Sequence, residues 1–440
     1  MQEDVKGTTL VMFDRRMIGW LAAAVMAWVL ATPASAQIGL SMSAPQSLPS
    51  LPNPLGERLP LTGAVEGLAR ETVNEALRAP SRLTEVIRRS RGALQADPAG
   101  WPVIAGEVVA VDLTREARAQ ALAAGFTVLR EDRLDALDLS VLVLAPPRRL
   151  SLERAVQRLQ ALAPDAEITF NHVATPAGTV SGGGGVAVQS QGSAPQARLG
   201  LIDTGVVATH PVLAASAVEQ RGFAGPPRIG AHGTAVASLM IGQGGGFKSG
   251  DPGAGLLVAD IYGGRPDGGA STALAAALSW MVERHVAVVN ISLVGPRNAL
   301  VERAVAAAQR RGVILVAAVG NDGPSAPPLY PAAYPQVIGV TAVNAQGRVL
   351  PEAGRGAQVD YAAPGADMAA ASQTGGFVSV RGASFAAPLI AGLIAKSGQA
   401  ALRPTDAGAP GRDLVYGAGI VAADLRTAPA VVGARGRLGS

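Results

Sequence analysis

The chain has no cysteine among its 440 residues. That excludes disulfide frameworks, thiolate zinc sites, iron–sulfur clusters and a cysteine nucleophile. Aromatic residues are scarce at 4%, and there are only four histidines. Net charge is small, +4 from 37 Lys and Arg against 33 Asp and Glu, and no basic run stands out. Single-stranded nucleic acids are held by aromatic faces along a basic groove, so no nucleic-acid partner is expected. Long hydrophobic runs are also missing beyond the first few dozen residues. What is abundant is apolar material: 48% of the residues are hydrophobic, enough for a large core, which excludes global disorder. The length exceeds the ~250–300 residues at which a single core stops growing, so at least two domains are expected.

The one early apolar run, Met17 to Ala31, follows Arg15 and Arg16 and precedes Ala34-Ser35-Ala36. This is the layout of a secretory signal peptide over residues 1–36, and the run is short of the ~20 apolar residues of a transmembrane helix. Glu3 and Asp4 do not suit the start of such a leader, so translation is expected to begin at Met12. An exported protein follows, periplasmic or extracellular, with no membrane attachment after signal cleavage. Residues 37–100 read as a Pro-rich linker and short helices broken at Pro80. Residues 101–175 alternate as β-α-β-β-α-β, the ferredoxin-like order, with Thr114 and Ser151 as helix N-caps and Gly125 as a C-cap. Residues 176–196 are a Gly/Ser-rich linker, residues 197–425 an α/β domain, and residues 426–440 a C-terminal tail.

In the α/β domain, five wholly apolar strands are expected at 198–203, 256–262, 286–293, 313–319 and 337–342, separated by helices at 232–241, 272–284 and 299–311. Such strands belong to a mostly parallel sheet with helices on both faces, whose ligand sites lie beyond the carboxyl ends of the strands. Four polar residues fall where that rule points. Asp203 follows the strand Leu199–Ile202, although a turn Asp before Thr204-Gly205 is the plainer reading. His232 opens a helix in Gly230-Ala-His-Gly-Thr234, where the helix dipole disfavours its cation and a nearby carboxylate is needed for strong basicity. Asn321 ends a strand before Asp322-Gly323, a position that suits a turn or an oxyanion donor. Ser384 stands at the start of an apolar helix, as an ordinary N-cap or as a nucleophile facing the same crevice. The other histidines are poorer candidates: His172 lies outside this domain, His210 reads as a turn residue, and His285 ends a helix.

Taken together, the order Asp203, His232, Asn321, Ser384 resembles the subtilisin-like serine proteases, the subtilases. The likeness covers about residues 197–425 and rests on Ile202-Asp-Thr-Gly205, His232-Gly-Thr234, Gly320-Asn-Asp-Gly323 and Gly382-Ala-Ser-Phe-Ala-Ala-Pro388. Val289-Asn-Ile-Ser-Leu293, Ala362-Ala-Pro-Gly365 and Tyr416-Gly-Ala-Gly-Ile-Val421 extend it. The resemblance implies an Asp203–His232–Ser384 triad with an acyl-enzyme intermediate and Asn321 as oxyanion donor. It also implies that substrate pairs with Ser292, Leu293, Val294 and Gly295, with a first specificity pocket bounded by Ala317, Ala318, Val319 and Gly320. Val294 and Val319 are expected to narrow that pocket toward small or medium apolar side chains. Ala383, Phe385 and Val294 depart from the usual family residues without removing essential chemistry. Polypeptides are the expected substrates. The ferredoxin-like domain is the expected intramolecular inhibitor and folding chaperone of a monomeric zymogen that cuts itself within residues 173–197.

The acidic residues Asp251, Asp260, Asp267, Asp360 and Asp367 are dispersed, so no metal and no cofactor is expected. A catalytically silent peptide-binding module of the same fold is the main rival. A serine esterase of the α/β-hydrolase type is disfavoured, because it requires G-x-S-x-G and the order Ser, Asp, His.

Overall fold

The computed structural model describes residues 82–176 and 198–438. The leader, most of the Pro-rich segment, and the Gly/Ser-rich linker apart from Pro176 lie outside the described residues.

The N-terminal module begins with helix α1, described over residues 82–89. It continues through β1 (Leu94–Ala96), β2 (Pro102–Val111), α2 (Arg115–Ala123), β3 (Thr127–Leu134), β4 (Leu139–Ala145), α3 (Leu152–Leu162) and β5 (Glu167–His172). Thr114 and Ser151 cap their helices as their sequence positions suggest, accepting from the backbone N–H of Ala117 (3.1 Å) and Arg154 (3.4 Å). The strands pair antiparallel in the order β5-β2-β4-β3, and β1 pairs with the start of β2. Strand alternation sends successive side chains to opposite faces. Val108 and Ala110 therefore join Leu142, Leu144, Phe126 and Leu159 in a core under α2 and α3. Val109, Val111 and Val141 point the other way, and with Leu134, Leu137 and Leu139 they join the main core of the C-terminal module.

That module is built on seven parallel strands in the order β14-β13-β12-β10-β7-β9-β8. They are β7 (Leu199–Asp203), β8 (Val218–Gly222), β9 (Leu256–Asp260), β10 (Val288–Ile291), β12 (Ile314–Ala318), β13 (Ile338–Val343) and β14 (Tyr361–Pro364). Its helices are α4 (Ala231–Ile241), α5 (Ser271–Glu283), α6 (Ala299–Arg310) and α7 (Ala387–Ser397). Helix α4 is apolar on every side and is buried along its length after the first residue. Two further pieces matter below: the two-residue strands β6 (Thr175–Pro176) and β11 (Leu293–Val294), which pair antiparallel.

Three differences from the sequence reading have local causes. Strands β8 and β14 were not among the five expected. Strand β8 is an edge strand that buries Val218 and Gln220 while Glu219 and Arg221 are more exposed, so it carries no continuous apolar run. Strand β14 is only four residues long and ends on Pro364. The nucleophile candidate is not a helix N-cap: Ser384 lies in a 3₁₀ turn, Ala383–Phe385, and α7 starts at Ala387 with Pro388 in its first turn. Residues 426–438, read as a tail, pack on the module. Thr427 is buried and accepts from the Lys248 N–H (2.9 Å), and β17 (Arg437–Leu438) pairs with β16 (Phe377–Val380).

Candidate active site

The carboxyl ends of the central strands form one rim, and the four polar residues stand on it. Asp203 is the last residue of β7, and Asn321 follows β12 by three positions. His232 lies in the first turn of α4, and Ser384 lies in the 3₁₀ turn three residues before the start of α7. All four are buried, Asp203 and Ser384 completely.

His232 Nδ1 lies 2.8 Å from Asp203 Oδ2 and 3.0 Å from Oδ1. A carboxylate only accepts, so Nδ1 carries a proton, and in the neutral ring Nε2 is then the acceptor. Nε2 is buried and makes no hydrogen bond. Asp203 Oδ1 also accepts from the Thr204 N–H (2.7 Å), which fixes the carboxylate plane.

Two glycines make the His–Asp contact possible. A Cβ at Gly230 would stand 2.2 Å from Thr204 Oγ1, and one at Gly233 would stand 2.4 Å from the Thr204 carbonyl oxygen. Only hydrogen side chains let the start of α4 close on the end of β7. Thr204 Oγ1 then accepts from the Gly233 N–H at 3.0 Å. The ring of Phe385 packs against His232, centroids 5.5 Å apart, and ties α4 to the Ser384 turn.

Ser384 is held by Ser292, which lies between β10 and β11. Its Oγ donates to the Ser292 carbonyl (3.1 Å), while the Ser292 hydroxyl donates to the Ser384 carbonyl (2.9 Å). Asn290 Nδ2 in turn donates to Ser292 Oγ (2.9 Å). The Ser384 hydroxyl is thus engaged by Ser292 rather than by His232. Asn321 accepts from the Ala383 N–H through its amide oxygen (3.0 Å), which orients the amide so that its NH2 group is the donating end.

Asp260, paired in register with Asp203, is a buried neighbour with a structural task. Its carboxylate accepts from the N–H groups of Arg228 (2.7 Å), Tyr262 (2.8 Å) and Gly263 (2.9 Å). Burial pushes its carboxyl above the ordinary range, these bonds pull the other way, and the nearby Asp203 adds to the rise. Among the described residues no group of three or more His, Asp or Glu could hold a metal ion.

The cleft beside this rim holds the chain's own segment. Strand β6 pairs with β11, Pro176 opposite Leu293 and Thr175 opposite Val294. On the other side, the Ala174 N–H donates to the Gly269 carbonyl (2.8 Å), and the Tyr262 hydroxyl donates to the Ala174 carbonyl (2.9 Å). Leu293 and Val294, expected as a substrate-pairing segment, are here paired with the chain's own Pro176 and Thr175. The opposite wall, Tyr262, Gly269 and Ala270, was not foreseen. Its only sequence signal is the glycine pair Gly268-Gly269, which reads equally well as a turn. Ala317 and Ala318 close β12, and Val319 lays a methyl against the position of a Cβ at Gly339 in β13 (3.4 Å). Gly295 exchanges both backbone hydrogen bonds with Tyr330 (2.9 and 3.0 Å).

The N-terminal module reaches the rim and the helices behind it. His172, set aside from the sequence, bridges the modules: Nε2 lies 3.1 Å from Asp97 Oδ2, and Nδ1 accepts from Asn298 Nδ2 (2.9 Å). Arg303 of α6 binds Asp112 (2.7 Å) and Glu167 (3.3 Å). Arg82 pairs with Asp322 (3.1 Å), next to Asn321. Burial raises the Asp322 carboxyl, and Arg82 opposes that rise.

Comparison with known proteins fits this geometry. Residues 195–409 match the Subtilase family. Thermitase of Thermoactinomyces vulgaris is 31% identical over 216 residues, covering 47% of this chain and 77% of the relative. Subtilisin DY of Bacillus licheniformis is 30% identical over 219 residues, covering 47% and 79%. Among solved structures, fervidolysin of Fervidobacterium pennivorans, a keratinolytic enzyme related to subtilisin, aligns with a TM-score of 0.59 at 19% identity. That alignment is a likeness of fold. It covers 73% of this chain and 60% of the other, more of this chain than residues 198–438 alone can supply.

Proposed function

The chain belongs to the subtilase family and is a serine endopeptidase, and from that premise we propose that Asp203, His232 and Ser384 are its triad. The observation that carries the assignment is the buried His232 ring, bound to Asp203 through Nδ1 at 2.8 Å with Nε2 unpartnered. A base held in this tautomer has one lone pair ready for a hydroxyl proton. In the reaction the Ser384 hydroxyl turns from the Ser292 carbonyl to Nε2 by rotation about its Cα–Cβ bond. Oγ attacks the peptide carbonyl carbon as its proton passes to Nε2, and the carbonyl π pair moves onto oxygen. The imidazolium, stabilised by Asp203, then protonates the leaving amine as the C–N bond breaks. Water repeats the sequence on the acyl-enzyme and frees Ser384. Asn321 Nδ2 and the Ser384 N–H are the proposed oxyanion donors.

We read residues 101–175 as a ferredoxin-like, propeptide-type domain that inhibits the enzyme and assists its folding. Its element order and its sheet order β5-β2-β4-β3 support this, as does strand β6 seated in the cleft. Maturation then cuts within residues 173–197, downstream of the paired segment. With the leader over residues 1–36, this describes an exported zymogen, periplasmic or extracellular, acting on polypeptides as a monomer.

The test follows the mass of the purified full chain with and without Ser384→Ala. The unsubstituted chain is expected to be cut within residues 173–197 and then to react with a fluorophosphonate probe at Ser384. The variant stays uncut and unlabelled. A Ser384→Ala chain that matures alone, or a processed chain that no probe labels, refutes the assignment.

A further inference from the structure

The loop of Asn321 and the turn of Ser384 come from distant parts of the chain, and a third segment fastens both. Residues 352–354, in the connection between β13 and β14, lie along residues 319–323. The Gly354 N–H donates to the Gly320 carbonyl (3.1 Å), and the Gly323 N–H donates to the Glu352 carbonyl (2.8 Å). These two bonds bracket Asn321. A Cβ on Gly354 would stand 2.8 Å from the Val319 carbonyl oxygen, so the approach admits no side chain there. The Glu352 carboxylate reaches the other segment: Arg381 Nη2 donates to Oε2 (2.8 Å), and Arg381 Nε lies 2.6 Å from Oε1. Arg381 stands three residues before Ser384. Glu352 is 4% exposed, and the Arg381 side chain 26%.

We infer that Glu352 and Arg381 are a positioning pair that sets the separation of the Asn321 amide and the Ser384 N–H, the two proposed oxyanion donors. This deepens the endopeptidase reading and rests on it. An oxyanion is stabilised by donors already aimed at the place where its charge develops, so their spacing must be fixed before substrate arrives. The bond from the Ala383 N–H to Asn321 Oδ1 is one tie between the two segments. One hydrogen bond leaves the turn free to pivot about it. The ion pair at Arg381 is a second tie, placed at the other side of Gly382, and two ties remove the pivot. A planar guanidinium that meets a carboxylate through two nitrogens holds direction as well as distance. Net stability is a poor reason for the pair, because the cost of taking both charges out of water offsets much of their attraction.

The experiment compares the mature enzyme with Glu352→Leu, Arg381→Met and the double variant, with active sites counted by fluorophosphonate labelling carried to completion. On one peptide substrate, kcat per site should fall by about 10-fold to 100-fold, up to the cost of a ~1 Å misplacement, while KM stays within about threefold. Affinity for a peptidyl trifluoromethyl ketone, whose adduct with Ser384 carries an oxyanion, should fall by the same factor as kcat/KM. Affinity for the matching unreactive peptide amide should not change. The double variant should lose no more than either single variant, because each removes the same tie. It also buries no unpaired charge, so it remains testable where a single variant fails to fold. An unchanged kcat per site in the double variant overturns the inference. So do ketone and amide affinities that fall together, or a collapsed fold in all three variants, either of which makes the pair merely structural. If the unsubstituted enzyme binds the ketone no more tightly than the amide, the endopeptidase reading itself fails, a different result from a loss confined to the variants.

Discussion

Asn298→Asp isolates one of the contacts that join the two modules. Asn298 is 3% exposed and has two separate tasks. Its Oδ1 accepts from the Val301 N–H (3.1 Å) and so caps α6. Its Nδ2 donates across the interface to Thr169 Oγ1 (3.2 Å), the Phe170 carbonyl (3.0 Å) and His172 Nδ1 (2.9 Å). Aspartate caps helices as well as asparagine, so the first task survives. The second is inverted, because an acceptor now faces acceptors. Thr169 can turn its hydroxyl and donate to the new carboxylate, but the Phe170 carbonyl and His172 Nδ1 lose their donor. Each buried group left unsatisfied costs about 1–3 kcal/mol. The complex between the cut N-terminal module and the protease should therefore weaken by about 2–6 kcal/mol, roughly 30-fold to 10⁴-fold in dissociation constant. Recovery of peptide hydrolysis on serial dilution of the processed complex reads that constant. A value within about threefold of the unsubstituted one, a difference well under 1 kcal/mol, would show that Asn298 serves only as a cap.

Three further outcomes are expected. Gly233→Ala puts a Cβ 2.4 Å from the Thr204 carbonyl oxygen and must push α4 off β7. Displacing His232 by about 1 Å should lower kcat about 100-fold, measured on a fold confirmed by circular dichroism. At Asp97, burial raises the carboxyl, but hydrogen bonds from His172 and from the Trp101 and Ala99 N–H groups outweigh it and hold the group below its ordinary 3.8. A depressed folded value means that this stabilisation is complete above pH 3.8 and is lost as pH falls through the lower folded value. Acid unfolding of the N-terminal module should then steepen below about pH 4, and Asp97→Asn should flatten that limb in a fluorescence titration. Finally, Arg303→Ala removes the partner of Asp112 and Glu167. Because both contacts are partly exposed, the complex should weaken by no more than about 1 kcal/mol and less still in high salt, as read by the same dilution assay.

Much of the site was legible because its signals are local. Asp203 follows a wholly apolar strand, which puts its carboxylate at that strand's carboxyl end, on the rim of the parallel sheet. Gly230 and Gly233 flank His232 because the backbone must close on Thr204, and that requirement is written into the neighbouring positions. Val108 to Val111 are an unbroken apolar run in β2, and both faces of that strand found cores. Helices α4, α5 and α6 ended within a residue of the expected ends at 241, 284 and 311.

What remained hidden depends on partners distant in sequence. His172 and Asn298 are 126 positions apart, and neither has a motif. Ser292 reads as a substrate-strand residue, yet only packing shows that it holds both the hydroxyl and the carbonyl of Ser384. Leu329 sits in a proline-rich loop, where nothing nearby indicates that its methyls fill the space beside Gly320. Backbone conformation and burial pattern are set over a few residues, so the sequence alone determined five of the seven strands of the parallel sheet, the starts of α4, α5 and α6, and the four polar positions. Which side chain occupies a cavity, and which hydroxyl a nucleophile touches at rest, is decided by contacts between segments far apart along the chain, and only the tertiary structure settles them.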